Sequence, residues 1–214
     1  CCLSSLNLAK YDEWKDTDVV ETAIYFLDGV MQEFIDKTSG KDSMKRTHRH
    51  ASKGRALGLG VMGWHTFLQQ KDLPFNSIAS TAWTHTVFSQ IKLKAESASR
   101  QLAKEYGEPL WCKGTGMRNT HLLAVAPTVS NSRIGGCSAG IEPQPANVYT
   151  FNGAKGTFIV KNPELVKKLK TSKNNTEKVW DQILADNGSV QNLPAEVLPE
   201  EDKEVFLTFS EINQ

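Results

Sequence analysis

Two long stretches of the chain carry apolar residues three and four positions apart. The first covers residues 16–37 and the second covers residues 80–104. This spacing places the apolar side chains on one side of an α-helix, so each stretch predicts an amphipathic helix that packs on a core. The positions that define the two apolar faces are Val20, Ala23/Ile24, Leu27, Val30/Met31 and Phe34/Ile35, then Val87/Phe88, Ile91, Ala95, Ala98 and Leu102.

Shorter apolar runs in the second half of the chain predict strands. Residues 122–126 are apolar and are followed by Pro127, which is typical of a buried strand. Residues 148–151 and 157–160 are rich in β-branched and aromatic side chains and flank a glycine-containing turn, so they predict two neighbouring strands. Further helices are predicted from Pro163, over residues 176–184 and over residues 201–212.

Two segments between these elements are less regular. Residues 41–55 interleave lysine and arginine with two histidines, and this charge pattern predicts a solvated loop. Residues 58–64 mix three glycines with apolar residues. Because the filling of this segment is apolar, we interpret it as a core helix packed closely on a neighbour and not as a nucleotide-binding loop.

Length and charge limit the class of protein. The chain has 214 residues, which suits one domain with a sizeable core. Its 25 Lys+Arg and 24 Asp+Glu residues leave a net charge of +1, so the whole-chain charge favours neither a nucleic acid nor an anionic membrane as partner. No apolar run approaches the ~18 residues that a membrane-spanning helix needs. We expect a soluble protein of the cytoplasm.

The four cysteines are too few for a disulfide scaffold and favour reduced thiols with redox chemistry. Cys1 and Cys2 are adjacent, and adjacent cysteines seldom bridge each other without strain, so a redox partner must lie elsewhere. Cys112 and Cys137 lie in glycine-rich segments, where a small buried cysteine is the favoured interpretation. No Cys-x-x-Cys spacing occurs, and we predict no metal site.

The residues after the predicted strand 122–126 are candidates for binding a phosphate. Thr128, Ser130, Asn131 and Ser132 follow that strand closely. Hydroxyls and backbone N–H groups at the end of a strand can surround a phosphate, and the start of a following helix adds partial positive charge. An ordinary strand-to-helix connection is the alternative, because no Walker-type or Gly-x-Gly-x-x-Gly motif is present.

Four blocks of sequence, taken together, carry a family resemblance. They are Cys1-Cys2-Leu3-Ser4-Ser5-Leu6-Asn7-Leu8, then Arg55-Ala56-Leu57-Gly58-Leu59-Gly60-Val61-Met62-Gly63-Trp64, then Ala126-Pro127-Thr128-Val129-Ser130-Asn131-Ser132, then Gly140-Ile141-Glu142-Pro143 with Asn147-Val148-Tyr149. In this order they resemble the C-terminal barrel region of the large (alpha) subunit of class I ribonucleotide reductases. The likeness is strongest over residues 1–170, and residues 111–118 are most similar to phage-encoded members of the family.

The resemblance implies a helix-rich α/β fold in which residues 1–214 are the C-terminal portion of a ten-stranded α/β barrel, incomplete in this chain. It also implies reduction of ribonucleoside diphosphates to 2′-deoxyribonucleoside diphosphates. In that reaction a cysteine thiyl radical removes the 3′ hydrogen. A cysteine pair supplies the electrons and becomes a disulfide.

The resemblance also implies roles for individual residues. Cys1 corresponds to the second redox-active cysteine, and Cys2 is the fallback if the register differs by one. Backbone N–H groups make much of the contact with the substrate diphosphate, and the side chain of Asn131 stands where the family commonly has a hydroxyl, so we expect little from it. The implied diphosphate-binding residues are Pro127, Thr128, Val129, Ser130 and Asn131.

Several parts of such an enzyme are implied to lie outside this chain. They are a small (beta) subunit with a metal-generated radical, thioredoxin or glutaredoxin, and sites for nucleotide effectors. The Asn-x-Cys-x-Glu motif that carries the family's radical cysteine does not occur in this sequence. We therefore expect the chain to be inactive alone and to need an upstream large-subunit fragment.

Other interpretations remain open from the sequence. The N-terminal Cys1 is consistent with protein splicing, with a split gene or with an arbitrary boundary. A non-catalytic nucleotide-binding or interaction module is an alternative function. A generic thiol oxidoreductase that uses Cys1 and Cys2 is a weaker one.

Overall fold

The computed structural model describes residues 2–153 and 156–212, which form two compact units. The first unit contains the described parts of Cys1–Leu6, Lys10–Met62 and Thr84–Pro127, and the second contains the described parts of Asn7–Ala9, Gly63–Trp83 and Thr128–Gln214. Over these residues the fold is a helix-rich α/β arrangement with two two-stranded sheets and no closed barrel. The predicted fold class is therefore confirmed.

The elements follow the predicted order in most places. The long helices predicted over 16–37 and 80–104 are present, as are the strand pair around 148–160 and the helix from Pro163. The last predicted helix is present but shorter than expected. The helices are α1 (Tyr11–Trp14), α2 (Val19–Thr38), α3 (Lys45–Gly54), α4 (Trp64–Gln70), α5 (Ile78–Tyr106), α6 (Val129–Ile134), α7 (Pro163–Thr171), α8 (Glu177–Ala185) and α9 (Glu200–Val205). The strands are β1 (Cys2–Asn7), β2 (Leu57–Met62), β3 (Val148–Gly153) and β4 (Gly156–Lys161).

A buried ion pair in the first unit joins Arg55 to Asp28 of α2. The guanidinium of Arg55 donates to the Asp28 carboxylate from Nε (2.9 Å) and Nη2 (2.8 Å), and Asn119 Nδ2 donates to the same carboxylate at 2.9 Å. Burial by itself raises the pKa of Asp28, but these hydrogen bonds and the charge of Arg55 hold it below its ordinary value. The carboxylate is therefore fully compensated inside the protein.

Residues 57–62 form strand β2, so the prediction of a core helix over 58–64 is wrong. Leu57, Leu59 and Val61 are each 1% exposed, which is the every-second-residue spacing of a strand. A Cβ atom on Gly60 would stand 2.2 Å from the carbonyl oxygen of Ala124. Because Gly60 has no side chain, the backbone at Ala124 can approach the strand closely. The predicted close packing is therefore present, but it involves a strand and not a helix.

The basic segment is helical, so the prediction of a solvated loop over 41–55 is also wrong. Helix α3 covers most of it, with Ala51 and Gly54 buried and the charged side chains largely exposed. Arg55 ends the helix in the left-handed region (φ +49°), where it reaches Asp28 on α2. A run of exposed charges is compatible with a loop or with the outer face of a helix, and tertiary contacts decide between them.

Residues 122–126 do not form the predicted buried strand. They make one parallel bridge, between Leu59 and Leu123, supported by a hydrogen bond from Leu59 N–H to Leu122 O (2.8 Å). Leu123 and Val125 are 38% and 48% exposed. The segment has β2 on one side, and among the described residues no further strand pairs with it, so its apolar side chains stay partly in solvent.

The described part of the second unit contains the β3–β4 hairpin and the whole of helices α4, α6, α7, α8 and α9. Strands β3 and β4 pair antiparallel, from Val148 opposite Lys161 to Gly153 opposite Gly156. Helix α7 begins where the side chain of Asn162 accepts the N–H of Glu164. The buried apolar cluster of this unit consists of Val148, Leu165, Leu169, Trp180, Ile183, Val190, Leu193, Leu198, Val205 and Phe206.

Candidate functional site

The predicted phosphate-binding residues lie together at the start of α6. Thr128 is the residue before the helix and has a positive φ of 21°, which is uncommon for a β-branched residue. Val129, Ser130 and Asn131 form the first turn and are exposed. Within the described residues, their three N–H groups donate to no protein acceptor, as is usual for the first turn of a helix. These donors are available to an anionic ligand.

The hydroxyl of Thr128 has a defined role in this loop. Its Oγ1 accepts the N–H of Gly140 at 2.8 Å, so the hydroxyl proton is left for a second partner. Ser132, which the sequence placed among the candidates, is 3% exposed, and its Oγ donates to the carbonyl of Val129. Ser132 therefore belongs to the support of the loop and not to its accessible surface.

A cavity of about 370 Å³ opens beside α6 within the second unit. Its lining includes Val129, Arg133, Glu142 and Tyr149. The guanidinium carbon of Arg133 lies 4.1 Å from the ring centroid of Phe151, and among the described side chains no carboxylate pairs with it. The cavity thus combines the positive charge of Arg133 and the negative charge of Glu142 with apolar and aromatic walls.

Arg133 is not among the site residues predicted from the sequence. The signal was available, because Arg133 lies four positions after Val129 and therefore on the same face of a helix that begins at residue 129. Without the helix boundary, an arginine in a polar loop had no distinguishing feature.

Cys1, the predicted redox cysteine, lies outside the described residues. Its fallback, Cys2, is the first residue of β1 and carries a half-buried free thiol. Cys2 lines a cavity of about 440 Å³ in the first unit, together with the apolar side chains of Met31 and Phe34 and the polar side chains of Arg46 and His50. The redox assignment stays a prediction.

The other two cysteines have the properties of structural thiols. Cys112 is 2% exposed, and burial, with a smaller contribution from the charge of Glu108, raises its pKa. Burial raises the pKa of Cys137 to about 11. Both therefore remain protonated near neutral pH, which makes them poor nucleophiles.

His65 is a core histidine. It is fully buried, its Nδ1 accepts the N–H of Gln144 (2.9 Å), and its Nε2 donates to the carbonyl of Val205 (3.3 Å). Burial lowers its pKa to about 4, against a smaller opposing effect of the Val205 hydrogen bond. The ring is therefore neutral near pH 7, and it connects the backbone at Gln144 to the backbone at Val205 instead of acting as a base.

Over residues 2–153 and 156–212, no group of three or more His, Cys, Asp or Glu side chains lies close enough together to hold a metal ion. In the same part of the chain no helix is both long and apolar enough to cross a membrane.

The fold and the loop together define an α/β protein with a short helix whose first turn offers N–H groups to an anion. The chain belongs to the ribonucleotide reductase barrel-domain family, because the sequence profile described as "Ribonucleotide reductase, barrel domain" matches residues 1–111 and 111–214. It is similar in structure to the alpha subunit of the class Id ribonucleotide reductase of Actinobacillus ureae, with a TM-score of 0.91 and 46% sequence identity over 99% of this chain and 39% of that one. The described residues thus form an open part of the class I alpha-subunit barrel region.

Curated relatives agree with this assignment. The chain is 41% identical, over its whole length, to the "Putative ribonucleoside-diphosphate reductase large subunit" of Frog virus 3, of which it covers 38%. It is 39% identical, again over its whole length, to the "Ribonucleoside-diphosphate reductase large subunit" of Invertebrate iridescent virus 6, of which it covers 22%. The chain therefore spans well under half the length of these relatives.

Proposed function

We propose that this chain is part of the large subunit of an enzyme that reduces ribonucleoside diphosphates to 2′-deoxyribonucleoside diphosphates. The observation that carries the proposal is the loop at the start of α6, where the three N–H groups of Val129, Ser130 and Asn131 and the hydroxyl proton of Thr128 are available to an anion. A diphosphate is the group in such a substrate that needs this set of donors. The family to which the chain belongs supports the reaction.

Each predicted residue has a place in the proposed reaction. The residues Pro127–Asn131 bind and orient the substrate diphosphate, with Val129 contributing through its backbone. Cys1, or Cys2 if the register differs, supplies one thiol of a redox pair whose other thiol lies outside this chain. Two thiols give up two electrons and two protons and become a disulfide. The C2′–O bond of the ribonucleotide breaks, the hydroxyl leaves as water with one of the protons, and the two electrons and the other proton form the new C2′–H bond.

The same proposal includes the partners that complete the enzyme. They are the rest of the large subunit, a small (beta) subunit that supplies a metal-generated radical, and thioredoxin or glutaredoxin to reduce the disulfide. The partly exposed Leu123 and Val125 support the first of these, because neighbouring apolar side chains left in solvent are commonly covered by another segment. The chain alone is expected to be inactive.

The test uses the assembled large subunit that contains this chain, together with its small subunit. We expect the chain alone to form no product and the assembly to convert a ribonucleoside diphosphate to its deoxy form. Cys1→Ser should leave assembly intact and abolish multiple turnovers driven by a dithiol, whereas Cys112→Ser should be much milder. Equal losses at the two cysteines would show that the redox pair is wrongly placed.

The loop is tested in the same assembly. Thr128→Val keeps the shape of the side chain but removes its hydroxyl. We expect KM for the diphosphate to rise about tenfold, because the loss of one hydrogen bond to a charged group weakens binding by about this factor. Asn131→Ala should change KM less than threefold, because the backbone makes the contact. An assembly that binds the nucleotide but never reduces it would instead favour a non-catalytic nucleotide-binding module.

A further inference from the structure

A reciprocal pair of side chains lies beneath the diphosphate loop, within the second unit. Thr66 is in the first turn of α4, and Ser138 follows α6 in the chain. The Thr66 N–H donates to Ser138 Oγ (3.2 Å), and the Ser138 N–H donates to Thr66 Oγ1 (2.8 Å). Each residue is 1% exposed, so both bonds are shielded from water.

The pair is connected to the loop by two further hydrogen bonds. The N–H of Gly63 donates to Ser138 O (2.8 Å), which fixes the backbone of this segment against α4. Two residues on, the N–H of Gly140 donates to Thr128 Oγ1, the residue that begins the diphosphate loop. Gly63 has a φ of +84°, and a Cβ there would stand 3.0 Å from Cys137 Cβ, so only glycine allows this approach without strain.

The other end of α6 is held by Asn7. Its Nδ2 donates to the carbonyl of Gly135, the residue after the helix, at 3.1 Å. Its Oδ1 accepts the N–H of Ala9 at 3.0 Å, which fixes the orientation of the amide. The N-terminal end of α6 is therefore held by the Gly140 N–H, whose segment the Thr66–Ser138 pair anchors, and the C-terminal end is held by the Asn7 side chain. A helix of only six residues has little stability without such contacts.

We propose that Thr66, Ser138 and Asn7 are positioning residues for the diphosphate loop. This inference rests on the proposed function. Asn7 holds residue 135 directly, whereas Thr66 and Ser138 fix the segment whose Gly140 N–H holds residue 128. Together they keep the N–H groups of the first turn pointing at one place before substrate arrives. Such preorganisation lowers the cost of binding, because the loop does not have to be ordered by the ligand.

The experiment compares matched variants in the assembled large subunit. Thr66→Val removes the acceptor of the Ser138 N–H while keeping the shape of the side chain, and Thr66→Ser keeps the acceptor. Asn7→Asp keeps the size and the acceptor for Ala9 N–H but removes the donor to Gly135. We expect Thr66→Val and Asn7→Asp to raise KM for the diphosphate about five- to tenfold with kcat within twofold, and Thr66→Ser to stay within twofold in KM.

A control separates positioning from general stability. Asn174 Nδ2 donates to the carbonyls of Glu196 and Val197, both at 3.1 Å, in a part of the second unit that holds no loop residue. Asn174→Asp should lower Tm and leave KM unchanged. If Thr66→Val and Asn7→Asp likewise lower Tm without changing KM, the positioning role is overturned. The hydrogen bond from Asn7 to Gly135 is exposed to solvent, so Asn7→Asp is expected to fold. The Asn7→Asp variant therefore still tests the proposal if Thr66→Val does not fold.

The two proposals fail in different ways. A wild-type assembly that neither binds nor reduces a ribonucleoside diphosphate overturns the proposed function. An active wild type whose Thr66→Val and Asn7→Asp variants match it in KM, and in the Kd for the diphosphate without turnover, overturns only the positioning of the loop.

Discussion

His65 shows how burial sets the charge of a single residue. Its two ring nitrogens have opposite roles, Nδ1 as acceptor from Gln144 and Nε2 as donor to Val205, and a second ring proton would break the first of these bonds. The depressed pKa therefore has a structural cause in addition to the loss of water. The residue joins three separate parts of the second unit.

A pH dependence of stability follows from His65. Above pH 6.5 the ring is neutral in the folded and unfolded states, and it has no effect. Between pH 6.5 and about 4 the unfolded state binds a proton that the folded state excludes, so stability falls as pH falls. The loss reaches about 3 kcal/mol below the folded pKa. Denaturant unfolding of the assembled subunit between pH 6.5 and 4 measures this loss of unfolding free energy. If the His65→Gln variant loses the same free energy over this range, His65 is not its cause.

The residues that support the loop could not be found from the sequence. Asn7 and Gly135 are separated by 128 positions, and Thr66 and Ser138 by 72. Nothing local marks any of them, since serine, threonine and asparagine are common in turns and helix starts. The residues that offer N–H groups to the ligand are consecutive and follow an apolar run, and for that reason the sequence could indicate them.

At the scale of elements, the spacing of apolar residues correctly predicts the helices that bury one face, α2 and α5. Helices α2 and α5 bury most of the positions that the spacing of apolar residues marks, such as Ile24 and Ile91, although Val30 is 37% exposed. In strand β2 the apolar filling between the glycines predicts a core helix, and that prediction is wrong. The spacing of Leu57, Leu59 and Val61 was the better signal, and it has the period of a strand.

Gly60 makes the geometry of β2 testable. Gly60→Ala would place a Cβ against the Ala124 carbonyl, so residues 121–124 would have to move and their bonds with β2 would weaken. We expect a loss of about 1–3 kcal/mol, the usual cost of overpacking. Gly29→Ala is the matched control, because a Cβ at that position on α2 meets nothing within 4 Å. Gly29→Ala should stabilise the helix by ~0.5–1 kcal/mol.

Denaturant midpoints of the two variants measure these changes in stability. Similar effects of Gly60→Ala and Gly29→Ala would contradict the close approach of Gly60 to the Ala124 carbonyl.

At the scale of the whole molecule, the chain has the structure of one portion of a larger subunit. It matches its relatives over its entire length but covers only 38% and 22% of the two viral proteins. The apolar edge at Leu123 and Val125 fits this relation, since these side chains belong to a barrel region that the described residues leave open. Composition alone could not show this, because the core, charge and cysteine count are those of an ordinary domain.

The hydrogen bonds around α6 have a consequence for the exchange of amide hydrogens with solvent. The N–H groups of Cys137, Ser138 and Gly140 lie outside any helix or strand but are bonded to Ser132, Thr66 and Thr128. By contrast, the first three N–H groups of α6 belong to exposed residues and have no acceptor in the part of the chain that the structure describes. Exchange should therefore be slow in the irregular segment and fast at the start of the helix, the reverse of what secondary structure alone indicates. A bound diphosphate would slow the helix amides and remove this contrast.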